Sequence, residues 1–201
     1  MHSLRYRQIH LDFHTSPDIP RIGAAFDKTA WQDTLKTGHV DSVTLFSKCH
    51  HGWSYHPTKV GKVHPHLDFD LLRAQFAASK EIDVNAPLYL SAGVDNMITQ
   101  EHPEWREVTS EGCYTGWSKR PIDAGFHKLC LNTPYLDYLC AQIREAVRLF
   151  PDCDGIFLDI INQRQCCCPW CMRDMCANAL DPRSEEDRKD WDRRVLLNYY
   201  R

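Results

Sequence analysis

Three clusters of side chains have types and spacings that particular chemistries require. The first is a lone carboxylate, Asp159, closing the apolar run Gly155-Ile156-Phe157-Leu158. An ionised carboxylate among apolar neighbours is costly unless it is hydrogen-bonded or used. Asp159 is therefore the candidate catalytic residue, against the alternative of a cap on the following loop, while Asp154 beside Gly155 reads as a turn residue. The second cluster is His10, Asp12 and His14, alternating with Ile9, Leu11 and Phe13. On a strand this alternation puts the polar trio on one face, suited to substrate contact or to a buried hydrogen-bonded pair. The third is Lys48-Cys49-His50-His51-Gly52-Trp53. His50 and His51 supply oriented donors and acceptors for hydroxyl groups, and Trp53 a flat wall for the apolar face of a pyranose.

The cysteines form a separate signal. Four of the ten lie in Cys166-Cys167-Cys168-Pro169-Trp170-Cys171. Cys166, Cys168 and Cys171 can wrap one tetrahedral ion, and a fourth thiolate completes a structural zinc site with no open coordination position. Cys113 is the expected fourth ligand, with Cys167 and Cys176 as substitutes within the cluster; plain thiols are the competing reading. A catalytic ion held by His10, Asp12, His14 and His50 is a weaker alternative, because these residues lack the helix-borne His pairing of the commonest zinc-protease motif.

Four apolar or alternating runs must position these groups: Tyr6–Phe13, Ser42–Ser47, Ala86–Ala92 and Gly155–Ile161. Between and after them, helical periodicity covers Ala24–Thr37, Asp68–Ile82, Pro134–Phe150 with Thr133 as N-cap, and Trp170–Leu180. Strands alternating with helices predict a parallel α/β sheet. About four βα units are present where a (β/α)8 TIM barrel of roughly 250 residues needs eight. Residues 1–201 are thus expected to be the N-terminal half of a catalytic barrel that continues beyond Arg201. Asp95–Gly125 reads as a long irregular insertion carrying Trp105, Cys113 and Trp117, and loops of that length serve a site or are disordered.

Composition bounds the partners. With 24 Lys+Arg against 27 Asp+Glu the formal charge is −3, which makes no electrostatic case for nucleic acid. No apolar run reaches the roughly 20 residues of a membrane helix, and the first residues are not a signal-peptide core. No membrane partner and a cytoplasmic location are the expectations, and the absence of glycine-rich phosphate motifs lowers the nucleotide option.

Several of these segments resemble a known family. Lys48-Cys49-His50-His51-Gly52-Trp53 is similar to the K-H-H-D-G-F segment of the alpha-L-fucosidases of glycoside hydrolase family 29. Asp12-Phe13-His14, Leu88-Tyr89-Leu90-Ser91-Ala92-Gly93 and Gly155-Ile156-Phe157-Leu158-Asp159 fall in the same order as that family's strand motifs. Across nearly the whole chain the nearer resemblance is to the hypothetical glycosyl hydrolase 6 family. The resemblance implies a retaining exo-glycosidase, most specifically an alpha-L-fucosidase, acting on a carbohydrate substrate. Asp159 is then the nucleophile, with His14 and His50 as hydroxyl contacts, Trp53 as the wall and Tyr89 near the nucleophile. His51 stands where family 29 has an acid, so the sugar remains open and a beta-galactosidase-like glycosidase is an alternative. Family 42 beta-galactosidases carry a similar C-x-C-x-x-C zinc turn with one earlier Cys, which also points to Cys113. Retention needs a second carboxyl roughly 5–5.5 Å from the nucleophile. Glu101, Glu104, Glu107 and Glu111 lie in the long insertion, but the resembled families supply the acid/base later in the barrel, so it is expected outside this chain. A non-catalytic sugar-binding or zinc-stabilised remnant is the rival, and a homo-oligomer formed through a domain not present here is also implied.

Overall fold

The strand Ser42–Lys48 (β2) is buried at every position, as the apolar and small residues of Ser42–Ser47 require of a strand covered on both faces. Around it the computed structural model describes residues 4–117 and 124–201. The other strands are Gln8–His10 (β1), Trp53–Ser54 (β3), Lys62–Val63 (β4), Leu88–Ser91 (β5) and Ile156–Asp159 (β6). The helices are Lys28–Thr37 (α1), Leu71–Lys80 (α2), Asn96–Glu101 (α3), Tyr135–Leu149 (α4), Pro169–Ala177 (α5) and Glu185–Tyr199 (α6), with a 3-10 turn at Pro103–Trp105.

The result is a mixed α/β fold with a six-stranded sheet. β1, β2, β5 and β6 run parallel and pair in chain order, while β3 turns back antiparallel against the end of β2. The chain divides into two compact units: Met1–Ser91 with Gln142–Asp159, and Ala92–Ala141 with Ile160–Arg201.

In the first unit, strand alternation sorts the sheet into two chemistries. Val43, Leu45, Leu88 and Leu90 point into a core closed by Leu35, Leu72, Ala146 and Phe150, with Ile9, Ile156 and Leu158 packed against it. The intervening residues, His10, Phe46, Tyr89 and Phe157, stack instead on one another: Phe46 and Tyr89 lie 4.0 Å apart at 15°, and His10 and Phe157 5.1 Å apart. Side-chain oxygens start the helices, Asp27 accepting from the Ala30 N–H and Asp70 from the Arg73 N–H, as N-caps do.

The second unit is built on short antiparallel bridges, Val94 to Lys128, Arg106 to Leu129, Val108 to Tyr114 and Gly116 to His127. A buried cluster of Cys130, Cys166, Cys168, Cys171 and Met175 forms its core. Ser184 caps α6 by accepting from the Asp187 N–H.

Two expectations are corrected. The strand predicted over Tyr6–Phe13 stops at His10, because it is paired only through three residues of β2. The segment Asp95–Gly125 is not irregular: α3, the 3-10 turn and the bridged ribbon order it, although its residues 118–123 lie outside the described ones. Among the described residues no helix is long and apolar enough to cross a membrane.

Candidate active site and metal centre

Asp159 ends β6 directly opposite Ser91, the last residue of β5. Parallel registry with Tyr89 two residues earlier puts all three on the aromatic face of the sheet. The Tyr89 hydroxyl donates to Asp159 Oδ2 at 2.7 Å, and burial, then this hydrogen bond, push the Tyr89 phenol well above its ordinary value.

His50 arrives from the turn that ends β2. The Gly52 N–H closes on the Cys49 carbonyl at 3.0 Å, and Gly52 takes φ 91°, a conformation open to glycine and strained for other residues. This turn directs His50 back over the sheet. Its Nδ1 lies 2.6 Å from Ser91 Oγ and its Nε2 3.5 Å from Asp159 Oδ2. With Nδ1 accepting from the serine hydroxyl, the ring proton sits on Nε2 and faces the carboxylate. Burial, reinforced by His14, holds His50 down at about 4, so it is a neutral donor near pH 7.

His14 stacks on His50 with ring centroids 4.0 Å apart at 13°. Its Nδ1 accepts from the His50 backbone N–H at 3.1 Å, which leaves the proton on Nε2, 3.4 Å from Asp12 Oδ1. Asp12 also meets His10 Nε2 at 3.0 Å. The trio therefore forms a hydrogen-bonded chain even though β1 has already ended. Burial lowers both His14 and His51 from their ordinary value. Trp53 packs against the cluster around Phe46, Tyr55 and Tyr89, 6.1 Å from the His64 ring. The structure thus brings Asp159, Tyr89, His50 and His14 together. Ser91, whose hydroxyl meets His50 Nδ1 at 2.6 Å, escapes sequence reasoning, though its place in strand register with Asp159 is a usable signal. Asp154 is a turn residue that also ties two segments together, since its Oδ2 accepts from Lys80 Nζ at 2.8 Å and from the Ala86 N–H at 2.7 Å.

The chain leaves Asp159 through a constrained turn. Ile160 adopts φ 57°, costing roughly 1–2 kcal/mol for an L-residue. In the second unit a Cβ on Gly93 would stand 2.0 Å from the Ile160 carbonyl oxygen, so only glycine fits. Backbone strain of this kind clusters at functional sites.

Among the glutamates of the insertion, Glu107 is fully buried and its Oε2 lies 3.0 Å from Lys128 Nζ. It also accepts from Thr115 Oγ1 at 2.8 Å and the Arg164 N–H at 3.1 Å. Glu101, Glu104 and Glu111 are exposed.

The sulfurs of Cys130, Cys166, Cys168 and Cys171 all lie within 4.8 Å of one another, and all four residues are buried. Among the described residues this is the one group of His, Cys, Asp or Glu with metal-holding geometry; the His10, Asp12, His14 and His50 set does not converge in that way. The fourth thiol of this cluster is Cys130, where Cys113 was expected. Cys113 is exposed at the ribbon turn, where its backbone carbonyl accepts from the Thr109 N–H at 2.8 Å. Cys130 precedes α4 and faces the thiols, its sulfur 3.4 Å from that of Cys171. Its 36-residue separation from Cys166 hides it, since no local spacing marks it.

The family model described as hypothetical glycosyl hydrolase 6 matches residues 27–160, a span containing His50, Tyr89 and Asp159. The structure of alpha-L-fucosidase isoenzyme 2 from Paenibacillus thiaminolyticus is 47% identical in sequence and superposes with a TM-score of 0.94, over 98% of this chain and 29% of that one. This chain therefore spans less than a third of that relative. An alpha-fucosidase of Thermotoga maritima in complex with fucose is 24% identical with a TM-score of 0.48, over 68% of this chain and 29% of that one, a likeness too weak to carry an argument. No curated protein matches the chain.

Proposed function

Because the chain belongs to the hypothetical glycosyl hydrolase 6 family, we propose that it is the nucleophile-bearing part of a retaining exo-alpha-L-fucosidase. The observation that carries the reading is the Asp159 carboxylate at the C-terminal end of a parallel strand, oriented by Tyr89 at 2.7 Å and faced by a neutral His50. Strand ends of this kind are where barrel enzymes place catalytic groups. The identity of the 47% relative as an alpha-L-fucosidase supports the choice of sugar.

Residues 1–201 are read as the first four βα units of a (β/α)8 catalytic domain. Four parallel strands in chain order, aliphatic toward the helices and aromatic-polar on the other face, support this. In the reaction Asp159 attacks the anomeric carbon while a second carboxyl, roughly 5–5.5 Å away, protonates the departing oxygen. Glu107 is committed to Lys128, so the acid/base is assigned to residues outside this chain. Tyr89 and His50 hold Asp159 in its attacking orientation. His14, His50 and His51 bond sugar hydroxyls, and Trp53 walls the apolar ring face.

Cys130, Cys166, Cys168 and Cys171 are assigned to a structural zinc ion. Four buried thiolates in tetrahedral reach fit zinc and leave no open position for chemistry. Thiolate ligation calls for a reducing compartment, which favours the cytoplasm.

The test is Asp159→Asn in the full reading frame, assayed on an aryl alpha-L-fucoside. Turnover is expected to fall about a thousandfold or more, as on loss of a nucleophile. A variant that keeps wild-type turnover refutes the assignment. The 1–201 chain alone is expected to be inactive.

A further inference from the structure

A cavity of about 330 Å3 in the second unit is lined by Gly116, Trp117, Lys128, Ile160, Asn162 and Arg164. This is the low end of the roughly 300–1,000 Å3 typical of small-molecule sites. Three of its side chains present recognition chemistry. The Trp117 indole is 56% exposed and stands at 90° to the Phe126 ring, centroids 5.7 Å apart. Its backbone is anchored by the Trp117 N–H to the Phe126 carbonyl at 3.2 Å. A Cβ on Gly116 would stand 2.8 Å from that same carbonyl oxygen, so the close approach that sets Trp117 in place needs glycine.

Asn162 and Arg164 are exposed, and among the described residues neither the amide nor the guanidinium has a protein partner. Lys128 differs, since Glu107 neutralises it in a buried pair. That glutamate also holds the Arg164 backbone N–H, so the ion pair braces the wall, and among the lining residues the uncompensated charge is the Arg164 guanidinium.

An exposed indole beside a free amide and a planar guanidinium matches a pyranose ring. The ring's C–H face stacks on the indole, and neighbouring hydroxyls accept from the fork and bond the amide. We propose that this cavity binds a neutral hexopyranose, a saccharide site built by the second unit alone. The binding stands independently of the glycosidase reading.

The protein of the full reading frame, labelled with 15N, is titrated separately with lactose, D-glucuronate and L-fucose. Lactose is expected to shift the Trp117 indole N–H and the Gly116 and Arg164 amides saturably. Trp117→Ala and Arg164→Ala each weaken it about tenfold, the worth of one stacking or forked contact, while Trp117→Phe keeps affinity within a few-fold. Unchanged dispersion of the remaining amides shows that the variants are folded. Lactose that leaves these signals unmoved, or that binds Trp117→Ala as tightly as wild type, overturns the proposal. Glucuronate binding in preference to lactose also overturns it, by making the cavity an anion site. L-fucose is expected to move amides around His50 and Tyr89. Failure there with lactose binding intact rejects the fucosidase reading while leaving this site standing.

Discussion

At the residue scale, the proposed chemistry centres on the Asp159 carboxylate. Tyr89 donates to it at 2.7 Å, a charge-assisted hydrogen bond worth about 1.5–3 kcal/mol. Tyr89→Phe in the full reading frame is therefore expected to lower kcat about 10- to 100-fold with little change in KM, and steady-state kinetics on an aryl fucoside check it. His50 has a pH signature. Its folded value, about 4, lies below the unfolded value near 6.5. Between those values the unfolded chain binds a proton that the folded chain does not, so stability falls as pH drops from about 6.5 to 4. The loss reaches about 3 kcal/mol at most, since the side chain is only 8% exposed. Urea unfolding across that range should show the slope, and His50→Gln should reduce it, leaving the part due to His14 and His51, which burial also lowers. A variant with the wild-type slope assigns the effect to another group.

At the element scale, the turn after β6 and the segment ahead of that strand each depend on close contacts. Gly93→Ala must displace the Ile160 carbonyl, 2.0 Å from the new Cβ. A loss of about 2 kcal/mol or more is expected from such a backbone clash, read as a lower urea midpoint. An unaltered midpoint shows that the turn after Asp159 gives way easily. Asp154 joins the Lys80 ammonium to the Ala86 N–H ahead of β5. Removing it as Asp154→Ala deprives a half-buried cation and a backbone donor of their shared acceptor and should cost about 1–3 kcal/mol. Asp154→Asn, which keeps the bond from Ala86, should cost less.

At the scale of the whole molecule, the second unit depends on its cysteine core. Metal analysis of protein purified under reducing conditions is expected to find one zinc per chain. Cys130→Ser should lose it and lower the thermal midpoint, whereas Cys113→Ser should leave both unchanged. Zinc retained in Cys130→Ser and lost in Cys113→Ser would reverse the ligand assignment. Chelation is expected to loosen the segment around Cys166–Cys171 more than β2 or β5, a difference that hydrogen exchange reads directly.

Much of this is legible in the residue order. Strand and helix periodicity locates the parallel elements, because side-chain alternation and helical stripes are local properties of the chain. Asp159 and His50 can be picked out because they stand at or just beyond a strand's end, His14 through the alternation of His10, Asp12 and His14, and Tyr89 through the resemblance to a known family. The local spacing of Cys166, Cys168 and Cys171 marks them as one cluster. What the tertiary structure decided were the contacts that no local spacing encodes. Strand registry set Ser91 opposite Asp159, where its hydroxyl meets His50 Nδ1. Folding of the second unit brought Cys130, not Cys113, to the other three thiols, and it buried Glu107 against Lys128. These pairings depend on segments tens of residues apart meeting in space, and only the packed chain specifies which of them do.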